Sequence, residues 1–138
     1  MSALHFESYT EARTHMKEML DAAERGQSAS VRRGTLTAMV IDADRLQRFL
    51  LSAYPSRAQV VQEAGGWSVV IPDLPVAADG ATFDEAITEM IDALREYAED
   101  WEERLYSVPN HSDNWPLAHL VQFSDDAQLR DWLIESAL

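Results

Sequence analysis

The sequence predicts an α+β protein made of two modules, and three observations carry that expectation. Strand-like alternation and helix-like spacing of apolar residues take turns along the chain. Two segments open with Ser or Thr followed three residues later by Glu, the mark of a capped helix start. Charge is divided unevenly: residues 1–57 hold eight basic and seven acidic residues, whereas residues 58–138 hold three basic and 17 acidic ones, so nearly all of the net charge of -13 lies in the second part. The expected modules are residues 1–54 and 58–138.

The first module begins with a short alternating piece, Leu4 to Phe6, and Ser8 with Glu11 then opens a helix near Tyr9. Ala12, Met16, Met19, Leu20 and Ala23 are expected on its buried face, and Gly26 is the expected stop. Ser28 to Arg32 and Leu36 to Ile41 read as a hairpin about Arg33-Gly34-Thr35. Asp42 caps a second helix carrying Leu46, Phe49 and Leu50, and residues 52–56 with Pro55 read as a linker.

In the second module, Ala58 to Gln62 and Trp67 to Ile71 flank Gly65-Gly66 as another hairpin, with Val76 to Ala78 as a short third strand. Thr82 and Glu85 open a long helix whose apolar stripe runs from Phe83 to Leu105, opposite a face dominated by Asp and Glu. After a polar loop, Ser107 to Asn114, the run His119 to Phe123 reads as a last strand. Ser124 is then expected to cap a final helix bearing Leu129, Trp132 and Leu133.

Composition excludes several classes. With 46% hydrophobic residues, five Gly and five Pro, the chain can build a core, and with no Cys it has no disulfides, thiol nucleophile or cysteine-bound metal. The start MSALHFESYTEAR lacks the order of a secretory leader, and no apolar run approaches the roughly 18 residues of a membrane span, so a cytoplasmic protein is expected. His5, His15, His111 and His119 show no metal-ligand spacing, and no nucleophile or phosphate-loop motif occurs. The expectation is no enzyme, no cofactor and no metal.

Residues 4–51 carry Ser8-x-x-Glu11-Ala12-Arg13, Val31-Arg32-Arg33-Gly34 and Ala38-Met39-Val40-Ile41-Asp42, and this stretch resembles the Phd/YefM family of bacterial antitoxins. The resemblance implies a homodimer, its sheets joined across a two-fold axis, that binds a palindromic operator and represses its own operon. Residues 58–106, with Gly65-Gly66-Trp67, Pro72-Asp73-Leu74-Pro75, Gly80-x-Thr82 and Glu85-Ala86, resemble the HicB-like antitoxin domain. That resemblance implies a β-β-β-α-β domain, with His119 to Phe123 as its last strand, that neutralises a small co-encoded toxin, commonly a basic RNase. The sequence departs from this pattern at Val76-Ala77, where typical members place Gly or Cys, and in the acidic stretch 124–138, where many carry a DNA-binding segment. Together the resemblances imply a type II antitoxin with a DNA-binding front and a toxin-neutralising back. HicB-like sheets are also likened to a degraded RNase H fold, which makes Glu63, Asp73 and Asp79 conceivable magnesium ligands, although surplus carboxylates are expected in so acidic a chain.

DNA binding needs cations aimed at phosphates. The candidates are Arg13, which matches the family's Arg in the first helical turn, Arg33 or Arg32 at the hairpin, and Lys17 one turn after Arg13. Their alternative reading is solvated charge, or pairing of Arg13 with Glu11 or Asp21. For a basic toxin, the candidates are aromatic residues among acids: Trp115 with Asp113, and Trp132 with Asp131 and Glu135, flanked by Asp125 and Asp126. Core packing is the competing reading for Trp132, and Trp101 and Trp67 are expected in the core. The functional alternative is an acidic dimeric protein-binding module without DNA-binding activity.

Overall fold

The computed structural model describes residues 4–137; residues 1–3, part of the stretch read for a leader, and Leu138 lie outside it. The described chain is α+β, with two three-stranded sheets and six α-helices in two compact units that divide between Arg48 and Phe49.

In the first unit, β1 (Leu4–Phe6) runs parallel to β2 (Ala29–Arg33), and β2 pairs antiparallel with β3 (Leu36–Val40). The two-residue turn Gly34-Thr35 closes the hairpin, with Gly34 in the left-handed region at φ 61°. Between β1 and β2 lie α1 (Tyr9–Thr14) and α2 (Met16–Glu24). The Ser8 hydroxyl accepts a hydrogen bond from the Glu11 amide at 3.1 Å, as a capping residue should.

The helix expected from Tyr9 to the Gly26 stop is thus two helices. His15 interrupts it at φ -118°, ψ 22°, and its ring stacks on Phe6 with centroids 5.0 Å apart. The interruption breaks the single helical period, which leaves Met16 and Leu20 exposed rather than on the buried face. Phe6, Ala12, Met19 and Ala29 form the core here, with Leu4, Val31 and Val40 packed against it. Arg45, on α3 (Ala43–Ala53), donates from Nη1 to the carbonyls of Ala23 and Glu24, and so closes the C-terminus of α2.

The second unit holds β4 (Gln59–Glu63), β5 (Gly66–Val70) and β6 (Ala77–Gly80) in antiparallel order. Register places Val60, Trp67, Val69 and Ala78 on the face covered by α4 (Phe83–Glu103), and Val61, Ser68, Val70 and Asp79 on the other. Ala86, Ile87, Met90, Leu94, Ala98 and Trp101 are buried along α4 at helical spacing. Gly80 is required by close packing: a Cβ there would lie 2.4 Å from the Ala86 amide nitrogen.

Beyond α4, the expected fourth strand is a helix. Two 3₁₀ turns, Leu105–Ser107 and Ser112–Asn114, lead into α5 (Trp115–Phe123), which packs on α4. The five residues His119 to Phe123, with Leu120, Val121 and Phe123 apolar, suit a strand or a helix equally, but Pro116 in the first turn favours a helix start, and Leu117, Leu120 and Val121 form its buried face. The unit is therefore β-β-β-α-α-α, ending in α6 (Asp126–Ala137). Asp125, rather than Ser124, caps α6: its carboxylate accepts from the Gln128 amide at 2.8 Å, and the Gln128 side chain accepts from the Asp125 amide at 2.9 Å.

Candidate functional site

The basic candidates all lie in the first unit. Arg13 sits in the last turn of α1 and is exposed, as are Arg32 and Arg33 at the end of β2. Adjacent strand residues point to opposite faces, so Arg33 belongs to the helix-covered face with Ala29 and Val31, whereas Arg32 shares the other face with Ser30, Thr37 and Met39. The two arginines therefore cannot act as one patch. Lys17 donates to Asp21 at 2.9 Å, and that bond holds its ammonium pKa above the ordinary 10.5. Its charge is locally offset, while Arg13 makes no ion pair with a described residue.

The same unit carries apolar side chains on its surface. Leu36, Met39 and Ile41 are exposed on or just after β3, and Tyr9, Met16 and Leu20 are exposed on the helices. β3 is also an edge strand, so its outer backbone groups face no further strand of its own sheet.

The acidic candidates in the second unit separate into different roles. Trp132 is only 4% exposed, and its indole N–H donates to the Tyr54 carbonyl at 2.7 Å. It is a core residue that ties α6 to the segment after α3, which removes it as a surface anchor for a partner. Asp125 caps α6, and Asp126 pairs with Arg95 at 2.7 Å. Asp113, Asp131 and Glu135 are exposed, and Trp115 is 45% exposed. Trp101 is buried as expected, its indole donating to the His111 carbonyl, whereas Trp67 is half-buried and meets Phe83 edge-on.

Sequence reasoning missed the neighbours of Trp115. Reading 119–123 as a strand hid the fact that Trp115, His119 and Phe123 recur every fourth residue on one helix face. That spacing, and Pro116 before the apolar run, were the available signals. Among the described residues, no three His, Asp or Glu side chains are grouped to hold a metal ion, so Glu63, Asp73 and Asp79 do not form such a group, although Glu63 and Asp79 line one pocket beside the β4–β5 turn. Asp79 instead accepts from the Ser68 hydroxyl at 2.6 Å. No described helix is long and apolar enough to cross a membrane.

The chain is thus a two-unit α+β protein whose first unit has balanced charge and whose second is strongly acidic. Its fold is similar to the crystal structure of an antitoxin from a proposed toxin/antitoxin system of Syntrophomonas wolfei subsp. wolfei, with a TM-score of 0.80 over 92% of this chain and 94% of that one at 21% identity. The PHD-like family, described as the antitoxin of RelE/RelB toxin–antitoxin systems, matches residues 1–134. The chain belongs to this antitoxin family. No curated protein matches it.

Proposed function

We propose that this antitoxin neutralises a small, basic, co-encoded toxin, in keeping with an RNase, through its second unit, and represses its own operon by binding operator DNA as a homodimer through its first. Within the residues matched by the family, the front half acts as the Phd/YefM-like part and the back half as the HicB-like part. The observation that carries this reading is that the uneven charge of the sequence falls on two separate compact units. A unit of balanced charge with exposed Arg13 and Arg33 can approach phosphates, whereas one crowded with carboxylates steers toward a cationic partner. The open edge of β3 beside Leu36, Met39 and Ile41 supports pairing of two sheets, which would cover those side chains and repeat each arginine at two half-sites.

The test is an electrophoretic shift with the DNA upstream of the protein's own reading frame. Wild type is expected to shift it at low salt, and Arg13→Ala combined with Arg33→Ala to abolish the shift. The separation of Arg32 from Arg33 and the Lys17–Asp21 pair favour one second reading, an acidic dimeric protein-binding module without DNA-binding activity. Absence of any shift across a salt series would establish that reading instead.

A further inference from the structure

The most unusual surface of the second unit is an aromatic stripe on α5. The rings of Trp115 and His119 stack with centroids 4.5 Å apart and planes 29° from parallel, and His119 is followed by Phe123 at 6.5 Å. Trp101, on α4, meets His119 edge-on at 5.6 Å and Tyr106 at 6.3 Å, which joins five rings into one cluster. Three of them face solvent, with Trp115, Phe123 and Tyr106 exposed by 45%, 52% and 54%. Single exposed apolar residues are ordinary, but a contiguous aromatic cluster on a soluble surface marks an interaction site.

The same two helices, α4 and α5, enclose a shallow groove of about 490 Å³ with Ala98, Val121 and Gln122 among its walls and Glu99, Glu102 and Glu103 along one side. The one cation among its described walls, Arg95, is already committed to the Val121 carbonyl at 2.5 Å and to Asp126. No ring lines the groove itself; its wall on α5 is Val121 and Gln122, the two residues that precede Phe123 in the chain, so carboxylates and aromatic residues belong to one stretch of the α4 and α5 surface. A guanidinium group fits both, since it stacks flat on an aromatic ring and donates in pairs to a carboxylate. A second copy of this unit is a poor occupant, because two surfaces with 17 acidic and four basic residues each repel, and the same sign excludes a nucleic acid.

We propose that the Trp115, His119 and Phe123 stripe with the adjoining Glu99, Glu102 and Glu103 groove is the surface on which this protein seats an arginine-bearing segment of its cognate toxin. The inference rests on the antitoxin reading above and assigns the contact surface within it. Aromatic rings supply most of the affinity, and the glutamates set the orientation and exclude acidic partners.

The test is calorimetric titration of the full-length protein with the purified product of the adjacent reading frame, comparing wild type with Trp115→Ala plus Phe123→Ala and with Glu99→Gln plus Glu102→Gln plus Glu103→Gln. Both variants change exposed side chains, and the glutamine variant keeps shape and volume should the aromatic one unfold. Each is expected to weaken binding at least about tenfold while the circular dichroism spectrum stays unchanged. Wild-type binding that both folded variants retain within about twofold would overturn this surface and leave the antitoxin reading standing. Failure of the wild type to bind that product would overturn the antitoxin reading and this surface with it. If sedimentation instead shows the aromatic variant falling to a smaller oligomer, the stripe is a contact between copies and the assignment to a toxin is wrong.

Discussion

At the level of single residues, three side chains have roles that local chemistry explains and measurement can check. Gly80 lies against the first turn of α4, and Gly80→Ala would force a Cβ into the Ala86 backbone, so a loss of about 1–3 kcal/mol in urea unfolding is expected. Asp125 caps α6 in a reciprocal pair with Gln128, and Asp125→Ala should cost about 1 kcal/mol by the same measurement. Tyr54 is half-buried, and burial raises its phenol pKa above the ordinary 10.0, with nearby Arg57 opposing the shift and Tyr97 adding to it. The neutral phenol is the form the fold favours. Its contribution is thus complete below the ordinary 10.0 and is lost as pH rises through the higher folded value. Thermal melts between about pH 9 and 12 should show Tyr54→Phe losing stability less steeply than wild type.

Among the elements, the decisive contacts are those that dock one helix on another or on a sheet. Trp132 anchors α6 by burying its ring and bonding the Tyr54 carbonyl, so Trp132→Ala should cost about 3–5 kcal/mol. Trp115, on the exposed face of α5, should cost under about 1 kcal/mol when replaced by Ala. Parallel denaturation curves of the two variants would show whether the buried and exposed tryptophans divide in this way. The long helix α4 is legible in the sequence, because its regular apolar spacing and its Thr82 cap leave few alternatives. Its neighbour α5 is not, because nine residues with a short apolar run satisfy both periods, and packing against α4 chooses between them.

Across the whole molecule, charge would govern how the two proposed tasks interact. In the proposed repressor, a duplex held by Arg13 and Arg33 would also meet the field of 24 acidic residues, so operator affinity of the protein alone should be modest and fall steeply with salt. A basic toxin bound to the second unit would offset that field. Fluorescence anisotropy with labelled operator should therefore show tighter binding when the product of the adjacent reading frame is present, with the gain shrinking as salt rises from about 50 to 300 mM. Exposed Leu36, Met39 and Ile41 bear on the same scale, since burying them between two sheets would add stability that depends on protein concentration.

The α+β class, the helix starts at Ser8 and Thr82, the hairpins and the uneven distribution of charge are all written in the linear order of residues, since each depends on neighbours close together in the chain. Which short apolar runs become helix, which tryptophan is buried and which arginine shares a face with which depend on contacts between distant residues. Trp132 meeting Tyr54, His15 lying on Phe6 and Arg45 closing α2 are such contacts. They follow from the folded arrangement, because a local pattern states what a segment can bury and its packing partner determines what it does.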